Sequence, residues 1–312
     1  MAGTALLFAG QGAQFVGMGA DLAEEFPAAR EVFDRADRVL GVNLTKMMFE
    51  GPAEVLDSTE NAQPAVLAMG IACLRALESA GGGKALGEVV AAAGLSLGEY
   101  GAHVASGAIG EEDAVRLVRR RGELMRAAAE ARPGGMASVI GLDAGLIEEA
   151  CREASSSGVV AIANRNSPGQ VVISGEAVAL ERASELCREK GARRVVALKV
   201  SGAFHTPLMQ PARDGLAGDL AHIEIRAGRF PVIANVTADR VSAPEEIRRT
   251  LLDQITGPVL FDDSVRRLAS DGVERALELG PGKVLAGLVK RTADGIDVTS
   301  VGTAEAVRGL MG

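Results

Sequence analysis

The sequence predicts an α/β fold: a largely parallel sheet in one large domain, with a small β-α-β-β-α-β unit inserted into it. Two observations point to the sheet. Short apolar runs at 4–9 and 88–94 each stop at a glycine-rich turn, and later runs at 230–236 and 276–279 also end in turn chemistry before a new segment. Such runs alternate with stretches of helical pattern, and strands separated by helices pair in parallel because the chain must cross over before returning. A third observation predicts the insert, because in the middle of the chain the order of elements changes.

Taken in order, 4–9 (TALLFA) reads as a strand running into Gly10-Gln11-Gly12-Ala13-Gln14, and 88–94 (EVVAAAG) as a strand running into Leu95-Ser96-Leu97-Gly98 and a helix. Residues 136–141 (MASVIG) then read as a strand and 145–156 as a helix. Two strands at 159–164 and 171–175 join across Asn-Ser-Pro-Gly, a helix follows at 177–190, and a strand at 194–200. That order is the ferredoxin-like arrangement. It places an inserted subdomain at 131–200, flanked by one domain built from 1–130 and 201–312.

Composition narrows the partners. A net charge of −8 argues against a nucleic-acid partner, which needs phosphate neutralisation, and with no Trp and a single Tyr there is little aromatic surface for stacking bases. The three cysteines, Cys73, Cys151 and Cys187, show no metal-ligand spacing, and their odd number suits a reducing compartment. The N-terminal stretch lacks a basic region and its apolar run is short for a signal peptide, and no uninterrupted apolar run approaches the length of a membrane span. The expectation is a cytoplasmic protein without a membrane segment.

The chemistry starts at Gly94-Leu95-Ser96-Leu97-Gly98, a G-x-S-x-G pattern with a strand before it and a helix after it. Small residues flank the serine because the strand must turn sharply there. The hydroxyl then stands at the carboxyl end of the sheet, and the start of the helix offers the Leu97 N–H to a developing oxyanion. The competing reading is a chance turn in a glycine-rich chain. A nucleophilic serine needs a base, and there are three histidines. His103 lies on the helix after Ser96 and reads as a packing residue, and His222 reads as surface. His205 follows a strand and the turn Ser201-Gly202-Ala203-Phe204, with Pro207 suited to the first turn of a new helix, so it can face the same sheet edge as Ser96. No Asp or Glu stands out as its orienting partner.

Arg121 lies in the helical stretch DAVRLVRRRGELMRAAAE. At about 100° per residue, Ala114, Leu117, Val118, Met125 and Ala128 share one face, with Arg121 near its centre. Arg116, Arg119, Arg120 and Arg126 point away. An inward guanidinium cannot deprotonate to escape burial, so it needs an anionic partner: a carboxylate of the protein or one on a substrate. The pattern does not choose between them. The Gly10–Gln14 segment lacks the third small residue of a dinucleotide fingerprint, since Phe15 stands there, and has no G-K-[ST]. It remains a tight loop whose Gln11 N–H is a candidate second oxyanion donor.

With these residues in view, a family resemblance is evident. FAGQGAQ, ENAQPA at 60–65, GLSLGEY at 94–100, RGELM at 121–125, ANRNSPGQVVISG at 163–175, GAFHTPLM at 202–209, ANVTA at 234–238 and ELGPGKVLAGL at 278–288 resemble, in order and over nearly the whole chain, malonyl-CoA:acyl carrier protein transacylases. The resemblance implies a hydrolase-like α/β domain carrying a ferredoxin-like subdomain. It also implies an acyl ester on Ser96, His205 as base and then acid, and an oxyanion hole of the Gln11 and Leu97 N–H groups. Arg121 would bind the malonyl carboxylate, and the main-chain carbonyl of Gln254 would orient the histidine. Asn164 and Phe204 lie in matching motifs and are implied as substrate contacts, with GAFH associated with malonyl rather than methylmalonyl units. The implied substrate is malonyl-CoA, with no bound cofactor or metal, and the implied partner is holo acyl carrier protein. A free-standing monomer of dissociated fatty-acid synthesis is the expectation, with a polyketide acyltransferase acting in trans or a serine thioesterase as alternatives. Leu95 departs from many relatives, in which His precedes the serine.

Overall fold

A computed structural model describes residues 3–81 and 83–311. Its main sheet has six strands: β1 (Thr4–Phe8), β2 (Val89–Gly94), β7 (Val232–Ile233), β8 (Arg240–Val241), β10 (Arg275–Leu279) and β11 (Asp297–Val301), in the order β11-β10-β1-β2-β7-β8. Every pairing is parallel except β7–β8 at the edge. β1 is buried along its whole length. Leu6 and Phe8 belong to one hydrophobic cluster, Ala5 and Leu7 to another on the opposite face. A strand covered on both faces loses the polar alternation of a half-buried one and reads as a continuous apolar run.

The register puts Phe8 beside both Gly94 and Leu279, so β1, β2 and β10 end together. Their carboxyl ends carry the loops at Gly10–Gln14, Ser96 and Gly280. The apolar run predicted at 230–236 forms only the two-residue strand β7. Beyond it the chain turns through Ala234-Asn235, and Asn235 is spent on side-chain bonds described below.

The second sheet contains β3 (Gly134–Ile140), β4 (Val160–Ser167), β5 (Gln170–Glu176) and β6 (Arg194–Ala197), with the helices Ala144–Ala154 and Ala177–Glu189 packed on it. Its order, β6-β3-β5-β4, is that of a ferredoxin-like unit, and the fold is thus the α/β class with this unit carried on the main domain. The strand predicted over 194–200 stops at Ala197. A fifth strand, β9 (Val259–Leu260), comes from the other side of the chain and pairs in parallel with β4, so the second sheet extends beyond the inserted segment.

The helix Thr59–Gly81 is long and apolar enough to cross a membrane by length and composition, which was not expected from the sequence. It lies in the core instead, with 72% of its most apolar window buried inside the protein. A helix hydrophobic all round is what a central core helix requires. The three cysteines are free and buried.

Candidate active site

The turn after β2 is built by its glycines. A Cβ on Gly94 would lie 2.0 Å from the Gly98 carbonyl carbon, and one on Gly98 would lie 2.1 Å from the Phe8 carbonyl oxygen. Only hydrogen fits at either place, so strand and helix approach closely enough to push Ser96 out of the turn. Ser96 itself has φ of 52°, in the left-handed region, at a cost of about 1–3 kcal/mol for a non-glycine residue. Three hydrogen bonds hold it there. Its N–H donates to Asn235 Oδ1 at 2.7 Å, and its carbonyl accepts from Gln254 Nε2 at 3.0 Å and from the Glu99 N–H at 3.1 Å.

His205 also adopts a positive φ, 60°, at the corner before the short helical turn Pro207–Met209. Thr206 fixes that corner by donating to the Ala203 carbonyl and accepting from the Leu208 N–H. The result brings His205 Nε2 to 2.7 Å from Ser96 Oγ. On its other side Nδ1 lies 2.8 Å from the main-chain carbonyl of Gln254. A carbonyl only accepts, so Nδ1 carries the proton and the lone pair of Nε2 faces the serine hydroxyl. Burial, and then the nearby Arg121 charge, push the His205 pKa down to about 4, so the ring is neutral and proton-accepting at pH 7.

Arg121 is buried on the inward face of the helix Glu111–Ala131. Its Nη1 donates to Gln63 Oε1 at 2.8 Å; its Nη2 donates to Gln254 Oε1 at 2.9 Å and to Ser96 Oγ at 3.1 Å. The guanidinium carbon lies 5.7 Å from the centroid of the Tyr100 ring. Nε–H has no partner. Among the described residues no carboxylate approaches Arg121 within ion-pair distance, whereas its neighbours Arg119 and Arg120 pair with Glu123 and Asp219 at the surface. Arg121 thus has no direct carboxylate partner among the described residues.

A cleft of about 500 Å³ opens between the two sheets over Ser96, Arg121 and His205, and Gln11, Phe204 and Asn164 line it as well. Leu97 is buried beneath and begins the helix Gly98–Ser106. Among the described residues, neither the Gln11 N–H nor the Leu97 N–H has a hydrogen-bond partner within the protein. The other two histidines are elsewhere: His103 is buried in the core and His222 is exposed at the end of its helix.

Three residues of the site were given no role from sequence: Gln63, Glu99 and Asn235. Gln63 and Glu99 are polar residues in largely apolar helical stretches, NAQPAVLAMG and GEYGAHVAS. A polar side chain on a buried face was the available signal, since it must be satisfied by a partner. Asn235 gave less signal, because Asn in a turn is common.

Over residues 5–310 the chain matches the acyl transferase domain family, and it belongs to that family. It is thus an acyltransferase. It is 44% identical to a malonyl CoA-acyl carrier protein transacylase of Bacillus subtilis (strain 168), across 98% of this chain and 96% of the relative. A crystal structure of an acyl-carrier-protein S-malonyltransferase from Bartonella henselae superposes with a TM-score of 0.93 at 43% identity, covering 98% of each chain. A malonyl-transacylase solved in complex with its type II polyketide synthase acyl-carrier protein superposes with a TM-score of 0.94 at 40% identity, covering 99% of each chain.

Proposed function

We propose that this acyltransferase moves a malonyl group from malonyl-CoA to the phosphopantetheine thiol of holo acyl carrier protein, through a malonyl ester on Ser96, in support of fatty-acid synthesis. The observation that carries the reading is Arg121: a buried cation without a protein carboxylate, 3.1 Å from the hydroxyl that His205 engages. A malonyl group supplies both things that this arrangement lacks, an acyl carbon for the serine and a carboxylate for the guanidinium.

In the first half-reaction His205 Nε2 takes the Ser96 hydroxyl proton as Oγ attacks the thioester carbonyl. The carbonyl oxygen becomes an oxyanion, and the uncommitted N–H groups of Gln11 and Leu97 are the donors that would receive it. The C–S bond breaks, and the departing thiolate takes the proton from His205. In the second half the carrier's thiol gives its proton to His205 and attacks the ester. Ser96 then leaves with that proton, and no net proton is gained or lost by the enzyme. The Gln254 carbonyl holds the imidazole in register throughout and stabilises its charged form, the task an acid performs in a triad with Asp. Phe204 and Asn164 shape the wall around the acyl group, and the segment 131–200, read as a subdomain, forms one side of the cleft. A polyketide carrier protein is the second reading of the acceptor, favoured by the partner in the second solved structure above.

Intact-mass analysis tests the reading. The wild-type protein mixed with malonyl-CoA gains one malonyl group, and holo carrier protein then removes it. Ser96→Ala stays folded and gains none. A full adduct on the alanine variant would move the nucleophile elsewhere, and loss of the adduct to water as fast as to carrier would make the protein a thioesterase.

A further inference from the structure

Glu99 is a fully buried carboxylate that the mechanism above does not use. It sits on the first turn of the helix behind Ser96, and its Oε2 accepts from Gln254 Nε2 at 2.6 Å and from the Asn235 N–H at 3.1 Å. Those two partners lead to every part of the site. Asn235 Oδ1 holds the Ser96 N–H, and Asn235 Nδ2 donates to the Gly94 carbonyl at 2.7 Å, clamping both sides of the turn. Gln254 presents its carbonyl to His205 and its Oε1 to Arg121. The orientation of the Gln254 amide follows from the network: the arginine can only donate, so Oε1 faces Arg121 and Nε2 faces Glu99.

A single amide therefore lies between a buried cation and a buried carboxylate, its oxygen toward the first and its nitrogen toward the second. We propose that Glu99 is a positioning residue that serves as the counter-charge of Arg121, relayed through the Gln254 side chain, and so sets how strongly the guanidinium binds an acyl carboxylate. The inference rests on the reading of Arg121 as the malonyl-carboxylate site. A direct Arg–Glu pair would occupy the donors that the substrate needs. Complete absence of a counter-charge would leave a bare cation in the core, where burial already presses the Arg121 pKa down and Glu99 acts against that pressure. The relay meets both demands. Beyond Glu99, the titratable groups around this cation are Tyr100, stacked on it, and His205 across the serine; His103 lies one helical turn beyond Glu99, with its Nε2 3.9 Å from Oε1.

Two variants separate charge from tether. Glu99→Gln keeps the shape and an accepting oxygen but removes the charge; Glu99→Asp keeps the charge but is too short to reach Gln254. Binding of malonyl-CoA and acetyl-CoA is measured by calorimetry in a Ser96→Ala background, and acylation by single-turnover mass analysis with Ser96 restored. Glu99→Gln is expected to tighten malonyl-CoA binding by roughly three- to thirtyfold, the effect of removing a unit charge several ångströms from the ligand's carboxylate, and to leave acetyl-CoA unchanged. Glu99→Asp is expected to leave malonyl-CoA affinity within about twofold and to slow acylation by at least about tenfold, since Gln254 and with it His205 lose their anchor. A purely structural Glu99 would weaken both ligands together. Unchanged or weaker malonyl-CoA binding in Glu99→Gln overturns the proposal, as does a Glu99→Asp protein that acylates like wild type. If Glu99→Gln does not fold, the Glu99→Asp pair of readouts decides alone. Arg121→Ala is the control for the underlying reading: if it keeps the preference for malonyl-CoA, the carboxylate site itself is wrong, whatever Glu99 does.

Discussion

Replacing Arg121 by Ala is the perturbation that bears most directly on acyl selectivity. The guanidinium is held by Gln63 and Gln254 and touches Ser96, and it leaves an Nε–H unpartnered. Its protein partners are all neutral, so a substrate carboxylate would be its first full counter-charge at close range. A hydrogen bond to a charged group is worth about 1.5–3 kcal/mol, and a forked pair about 3–6 kcal/mol. At about 1.4 kcal/mol per factor of ten, that is a preference for malonyl over acetyl of about a hundred- to ten-thousandfold. The lower end is expected, because the carboxylate gives up water to enter a buried site and the arginine already has three contacts. The assay is the initial rate of transfer to carrier protein from malonyl-, methylmalonyl- and acetyl-CoA. Arg121→Ala should lose at least about a hundredfold with malonyl-CoA and much less with acetyl-CoA, so that the two converge. Arg121→Lys, which keeps the charge without the fork, should fall in between. Removing the arginine also frees Gln254, and the acetyl rate measures that indirect loss. An unchanged malonyl-to-acetyl ratio in Arg121→Ala would falsify the carboxylate role.

Further expectations concern the base and the turn. His205→Ala should slow acylation by at least about a hundredfold, whereas His103→Ala, in the core away from the cleft, should lower thermal stability more than rate; equal rate losses in two folded variants would leave the choice of base unsupported. Because burial holds the His205 pKa near 4, the acid limb of kcat/KM should fall close to pH 4 rather than 6.5, and Arg121→Ala, which removes the second of the two causes, should move that limb upward. A limb at 6.5 in wild type would contradict the burial argument. The same shift has a sign for stability. Between pH 6.5 and 4 the unfolded chain binds a proton on this residue that the folded protein does not, so its contribution is complete above 6.5 and is lost as the pH falls through 4. Gly98→Ala would set a methyl group 2.1 Å from the Phe8 carbonyl oxygen, so it should fail to accumulate as folded protein or melt far below wild type, and a near-native melting temperature would refute the close-approach explanation of the turn.

What the sequence determined by itself was local. The turn around Ser96 is legible because its chemistry needs glycines at fixed offsets, and Arg121 was placed on an inward face because helical period is a property of neighbouring residues. The order of elements in the insert was legible for the same reason: strand and helix patterns are written over five to fifteen residues. Strand ends were not, since 194–200 and 230–236 are mostly apolar and only pairing partners decide where a ladder stops. What the tertiary structure decided was juxtaposition. Ser96 and His205 are 109 residues apart, and Gln254 lies 158 residues from the serine whose carbonyl it holds. No periodicity encodes those distances; the common ending of β1 and β2 and the crossing of later segments over them does. The choice between a protein carboxylate and a substrate carboxylate for Arg121 was open in the sequence for this reason. The structure adds that the groups bonded to the guanidinium are two amides and the Ser96 hydroxyl, with Glu99 one amide away, because the partners of a buried charge are set by what packs against it.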